Sequence, residues 1–290
     1  MKKLFLISTI ILFASSLLVF NSCSKYKLNR TTTSSADNST AENAFNDVYK
    51  VVNETAEDES SNKSLTAYSF GNCATVTVTP AWPDTTFPKS ITIDFGTTNC
   101  TGTDLKLRRG KIEYTISDRY RNTGCVITAT TDDYYVNDYK VEGNKTVTNN
   151  GRNSNDNLSY TIEVTNAKVT TPDGDEITWE STRTREWTEG EETGYFTLDG
   201  NGDILGIDGI TDDVYSITGN ASGVNRDGLN FTVTIIEPLI VKIGCRWITK
   251  GVLEIVPEDL KTRTVDYGDG NCDNEATVTI GNKTYNIILR

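Results

Sequence analysis

From about Leu65 to Arg290, apolar and polar residues alternate with a period of two, and no other feature restricts the fold of this chain as strongly. Ile91, Ile93 and Phe95 alternate with Thr92 and Asp94, and Ile112, Tyr114 and Ile116 alternate with Glu113 and Thr115. Leu229 to Ile235, Tyr160 to Val164, Ala276 to Ile280 and Tyr285 to Leu289 repeat the pattern. A period of two puts successive side chains on opposite faces of a pleated strand, so each run has one apolar and one wet face. The breaks between runs read "PDGD", "LDGNGD", "NRDG" and "IGNK", where Gly and Asn supply the positive φ of a tight reversal. Short reversals join antiparallel neighbours, which predicts a meander of about a dozen strands or more. A sheet that long must curl or fold over to cover its apolar side. The expected fold is all-β: a long antiparallel meander curling into a sandwich or half-barrel, one domain over residues 39–290, with a single N-terminal amphipathic helix.

Within this pattern one octet occurs twice. "IDFGTTNC" ends at Cys100 and "VDYGDGNC" ends at Cys272, and a second Cys precedes each by 27 residues, Cys73 and Cys245. Four cysteines allow three pairings; the equal spacing favours Cys73 with Cys100 and Cys245 with Cys272. Each bond would close the same unit, residues 73–100 and 245–272: a strand, a long return, and a strand ending in an Asp-aromatic-Gly turn. Such bonds belong to an oxidising compartment. "GKIEY" at Gly110 and "GVLEI" at Gly251 also resemble each other, yet stand at different offsets from the cysteines, which argues against a simple tandem duplication. Cys125, inside "GCVITAT", is left as a small apolar residue, since no histidine or basic cluster stands near it to lower its pKa.

Upstream, Phe45, Val48, Val51 and Val52 recur at helical intervals, and Ser39-Thr40-Ala41-Glu42 has capping-box spacing, so an amphipathic helix is expected over 39–57. Residues 23–38, rich in Ser, Thr and Asn, read as a flexible tether. Met1-Lys2-Lys3 followed by the apolar run Leu4 to Phe20 has the layout of an export signal over 1–22, and the run is shorter than the ~20 residues that span a bilayer comfortably.

Composition removes several chemistries. The net charge is −12, which repels phosphate backbones and argues against a nucleic-acid partner. Histidine is absent, and with it Ser-His-Asp and Cys-His catalysis and His-ligated zinc. Asp199, Asn201 and Asp203 imitate the start of a calcium loop, but Ile204 and Ile210 stand where that loop needs Gly and a bidentate Glu, so a solvated hairpin is the better reading. A shared ion with Asp269 and Asp273 would require the fold to bring them together. In "WESTRTREW", strand alternation puts Trp179, Ser181, Arg183, Arg185 and Trp187 on one face. Two guanidinium groups framed by two indoles could hold an anionic or sugar ligand; the plainer expectation pairs those arginines with carboxylates on neighbouring strands. Carboxylates are abundant, but nothing marks any pair as an acid and base.

"LLVFNSC" resembles a relaxed lipobox of the kind found in Bacteroidetes-type envelope lipoproteins, with Phe20 and Asn21 departing from the usual residues and Ser22 fitting. That resemblance implies lipidation of Cys23, release of residues 1–22, and a membrane partner reached through the lipid. The basic stretch Ser24-Lys25-Tyr26-Lys27 is unlike the acidic start of surface-exposed members, so the resemblance implies an outer membrane anchor facing the periplasm. It brings no catalytic residues and no cofactor. The expected role is a lipid-anchored envelope protein, binding or structural and non-enzymatic, with a protein or glycan partner left open. The alternative is a carrier of lipid or another apolar ligand, because a meander with one helix is similar in outline to half-barrel carriers whose helix plugs the concave face.

Overall fold

The computed structural model describes residues 32–58, 70, 73–81, 83–193, 197–198, 204–206 and 211–289. Cys23, the export signal, and Asp199, Asn201 and Asp203 lie outside the described residues.

The alternating runs form one 14-stranded antiparallel sheet in which strands follow one another in chain order. Its members are β1 (Thr75–Thr79), β2 (Lys89–Asp94), the stub β3 (Cys100–Thr101), β4 (Leu107–Ile116), β5 (Val126–Val136), β6 (Tyr139–Arg152), β7 (Leu158–Thr170) and β8 (Glu176–Glu189). The two-residue β9 (Thr197–Leu198) and β10 (Ile204–Gly206) pair only with each other, and the large sheet resumes with β11 (Val214–Val224). It continues through β12 (Asn230–Lys242), β13 (Ile248–Pro257), β14 (Arg263–Asp269), β15 (Glu275–Ile280) and β16 (Lys283–Ile288). The apolar positions read from the sequence all lie on one face: Ile91, Ile93, Ile112, Ile116, Tyr160, Phe231 and Val278 are each buried. The other face is wet. A cross-strand row on it, mostly threonine, runs register to register from Thr79 through Thr115, Thr128, Thr146, Thr182, Thr234, Thr264 and Thr279 to Thr284. Threonine suits a strand and needs no partner strand to satisfy its hydroxyl in water.

The sheet curls about one helix, α1 (Thr33–Asp58), and remains open between β1 and β16. α1 touches β4 to β8 on one side and β13 on the other. Its apolar stripe, Ala41, Phe45, Val48, Val51 and Val52, is buried on the concave face, and Phe45 stacks on Trp179 at 5.9 Å. The helix thus begins at Thr33 rather than Ser39, and residues 33–38 are ordered first turns rather than the end of a tether. Polar contacts to distant hairpins account for this. Asp37 binds Arg226 at 2.5 Å, Asn38 accepts the indole N–H of Trp179 at 3.0 Å, and Ser34 accepts from Asn225 at 2.9 Å. Ser39 and Glu42 therefore lie inside the helix, and Thr40 donates back to the Ala36 carbonyl instead of capping an end.

Cys73 is bonded to Cys100 and Cys245 to Cys272, with Cα–Cα separations of 5.5 and 5.7 Å. The two octets fold alike. Asp94 accepts from the Gly96 N–H and Asp266 from the Gly268 N–H, each at 2.8 Å, while Phe95 and Tyr267 turn inward. The unequal offsets of "GKIEY" and "GVLEI" have a topological cause. Ile112 pairs Ile93 and Glu113 pairs Thr92, just as Leu253 pairs Val265 and Glu254 pairs Thr264. The same two-strand register is built twice, but the octet strand comes first in one copy and second in the other.

Candidate functional site

The inner face of β8 carries the residues singled out in "WESTRTREW". Alternation along β8 places Trp179, Ser181, Arg183, Arg185 and Trp187 on one face, and that face is turned inward beneath α1, with every one of the five buried. The indoles do not frame an open groove. Trp179 packs on Phe45 and bonds Asn38, while Trp187 packs 5.4 Å from the Tyr215 ring, and the Arg121 guanidinium lies 4.7 Å from the Trp187 ring centre.

The two arginines have different environments. Arg183 reaches Glu42 at 3.5 Å, so its carboxylate comes from the helix and not from a neighbouring strand as the sequence suggested. Its Nε and Nη1 are buried without a hydrogen-bond partner among the described residues. Arg185 makes no hydrogen bond and no ion pair among the described residues, and its Nε is buried. Its guanidinium lies 3.4 Å from the ring centre of Tyr215 and 4.5 Å from that of Tyr49. Tyr49 and Tyr120 share a hydroxyl contact of 2.6 Å, and Tyr120 stacks on Tyr160 at 5.0 Å. A guanidinium at 7% exposure with no acceptor is costly, because desolvated N–H donors are normally paired.

Further charge converges on the same place. Lys145 is buried, donates to the Phe45 carbonyl at 2.8 Å, and lies 4.9 Å from the Tyr49 ring. Burial pushes its ammonium down to about 7, and Arg185 adds to the push. Asp213 accepts from the Tyr215 hydroxyl at 3.0 Å, and burial raises its carboxyl to about 6. Arg185 and Lys145 thus share this region with Glu42, which pairs with Arg183, and with Asp213, which gives one oxygen to Tyr215 and keeps Oδ1 buried without a partner among the described residues. The arrangement is suited to hold negative charge.

A second charged cluster is closed. Asp47 on α1 accepts from Arg108 Nε at 3.0 Å and Nη2 at 2.6 Å, from Lys106 at 2.8 Å, and from the Tyr134 hydroxyl at 2.6 Å. Burial alone would raise its carboxyl; Arg108 and Lys106 outweigh burial and hold it below the usual range. This cluster fastens α1 to β4 and β5.

Among the described residues no group of three His, Cys, Asp or Glu side chains is placed to hold a metal ion. Of the other acids considered with the calcium-like run, which itself lies outside the described residues, Asp212 is exposed and accepts from Thr193 at 2.9 Å, and Asp273 caps the Glu275 N–H at 3.0 Å. Cys125 is buried, its thiol pushed up by burial and donating to the Asp118 carbonyl at 3.2 Å, which fits a small core residue. Two shallow depressions open on the outer face. One of about 360 Å3 is lined by Glu163, Glu180, Thr182 and Asn220, and one of about 330 Å3 by Glu254, Lys261 and Thr264.

Sequence reasoning found the β8 face but not the tyrosine cage. Tyr49, Tyr120, Tyr160 and Tyr215 come from α1, the β4–β5 connection, β7 and β11, and only the folded sheet assembles them. Lys145 carried no signal beyond being a charge at an inward position. No family model matches the chain, and no curated protein or solved structure is found to match it.

Proposed function

We propose that this chain is a lipid-anchored protein of the bacterial cell envelope with a binding or structural role and no catalytic one. The observation that carries the reading is the pair of disulfides closing two like-folded units, in a chain that opens with an export-type segment and a Cys at position 23. Such bonds persist in oxidising envelopes and are rare in the cytosol. A lipid on Cys23 places the β domain beside the outer membrane, facing the periplasm, and the buried cationic face of β8 supplies a place for a ligand. The experiment is fractionation. Wild type is expected in the membrane fraction and Cys23→Ala in the soluble one; a Cys23→Ala variant that stays membrane-bound overturns the anchor.

The runner-up reading, a carrier of lipid or another apolar ligand, is favoured by one observation: a single helix lies in the concavity of an open, curled sheet. Against it stands the packing of that concavity by Phe45, Val48, Tyr49 and Val52.

A further inference from the structure

Arg185 is a buried cation whose hydrogen-bonding groups have no acceptor among the described residues. Tyr215 at 3.4 Å and Tyr49 at 4.5 Å supply the flat contacts that guanidinium groups make with aromatic rings, and these contacts offer its N–H donors no oxygen acceptor. The donors of a guanidinium radiate in its plane, so what remains to be satisfied is an edge. A planar group with two acceptor oxygens fits such an edge through parallel bonds. The nearby acids do not serve: Glu42 is taken by Arg183, and Asp213, whose Oδ2 accepts from the Tyr215 hydroxyl while its Oδ1 is buried without a partner among the described residues, forms no ion pair with Arg185. Lys145, with one bond to a carbonyl, brings a further buried N–H donor group from β6.

We propose that Arg185 is the receptor for a single carboxylate group, bound edge-on between Tyr49 and Tyr215 on the inner face of β8. Entry would be at the end of β8, by displacement of Trp187 and of the partly exposed Arg121 that overlies it. The ligand is an organic acid, and its carboxylate belongs either to a small free acid or to the head of a fatty acid. This rests on the binding half of the reading above and fails separately from it, since it is measured on the detergent-solubilised full chain whether or not Cys23 carries lipid.

The test follows the thermal midpoint of the full chain in sodium formate, acetate and laurate, each against sodium chloride at equal ionic strength. A ligand that binds only the folded state raises the midpoint and does so saturably. The expected result is a saturable rise of several degrees with a carboxylate over chloride. Laurate acting at concentrations about tenfold or more below acetate identifies a fatty-acid head; acetate and formate acting alone identify a small acid. Arg185→Gln replaces an unpaired guanidinium by a neutral amide, so it should keep at least the wild-type midpoint in chloride and lose the carboxylate response, with affinity falling at least about tenfold. Absence of a saturable carboxylate effect in wild type overturns the proposal, as does an undiminished effect in Arg185→Gln. An Arg185→Gln chain that fails to fold in chloride also overturns it, because Arg185 is then held by the protein's own structure.

Discussion

Asp47 and Glu54 lie two turns apart on α1, both buried, with opposite fates. Asp47 meets Arg108, Lys106 and the Tyr134 hydroxyl and stays ionised. Glu54 has only Lys50, at 3.8 Å, and its Oε2 has no partner among the described residues. Burial pushes its carboxyl up to about 7, against the pull of Lys50 and Arg108 and with a further push from Asp104 and Asp47. Between the ordinary 4.5 and about 7 the folded chain therefore holds a proton that the unfolded chain has released. The contribution of the neutral carboxyl is present in full below the ordinary value and is lost as pH rises through about 7. Glu54→Gln keeps the neutral shape at every pH. It is expected to be more stable than wild type at pH 8 by on the order of 2 kcal/mol, with the difference fading toward pH 4.5, as read by urea denaturation at each pH. An equal difference at both ends of the range rules out titration of Glu54 as its source.

At the scale of elements, the repeated register of β2 with β4 and of β13 with β14 depends on two glycines. Gly110 and Gly251 stand beside breaks in the β4–β5 and β13–β14 ladders, with φ of 84° and 116°. A Cβ at Gly110 would fall on the backbone of Asp133 and Tyr134, and one at Gly251 on that of Pro238 and Leu239. Gly174, at φ 90° in the β7–β8 turn, has open space around it. Gly110→Ala and Gly251→Ala are thus expected to cost about 2 kcal/mol or more each, and Gly174→Ala about 1 kcal/mol from backbone strain alone. Urea midpoints compare the three; equal losses would mean that the close approaches carry no energy. These glycines also mark how far the sequence could be read. The octets, their disulfides and the strands around Ile93, Ile112 and Val278 were legible because alternation and spacing are local. The matching of "GKIEY" with "GVLEI" was visible as likeness but not as structure, because the partner strand follows in one copy and precedes in the other. The start of α1 was misplaced because Asp37, Asn38 and Ser34 are held by Arg226, Trp179 and Asn225, residues far along the chain. Alternation gave the β8 face, but could not say that it turns inward, because arginine on a buried face is against the ordinary pattern.

Across the whole molecule, the sheet is too long to stay flat and has no second layer among the described residues except α1, so helix and sheet depend on each other. Four carboxylates of α1 are buried, Asp37, Glu42, Asp47 and Glu54, and the first three meet Arg226, Arg183 and Arg108 from widely separated parts of the sheet and its turns. The helix thereby ties β4, β8 and the β11–β12 turn into one body, by charge as well as by its apolar stripe. Removing Thr33 to Asp58 strips away Phe45, Val48, Val51 and Val52, worth ~1.5 to 3 kcal/mol each, leaves Arg183 without its counterion, at ~3 to 5 kcal/mol, and leaves Arg108 with Asp104 alone. These losses are of the order of a domain's whole stability, about 5 to 15 kcal/mol. The deletion variant is therefore expected to lose cooperative unfolding and to bind hydrophobic dyes without saturation. A carrier predicts otherwise: with its plug removed, the sheet stays folded and takes up one apolar fluorescent probe per chain, saturably. Denaturant titration and probe binding on the same variant separate the two, and saturable one-to-one uptake by a cooperatively folded chain would replace the structural reading with the carrier.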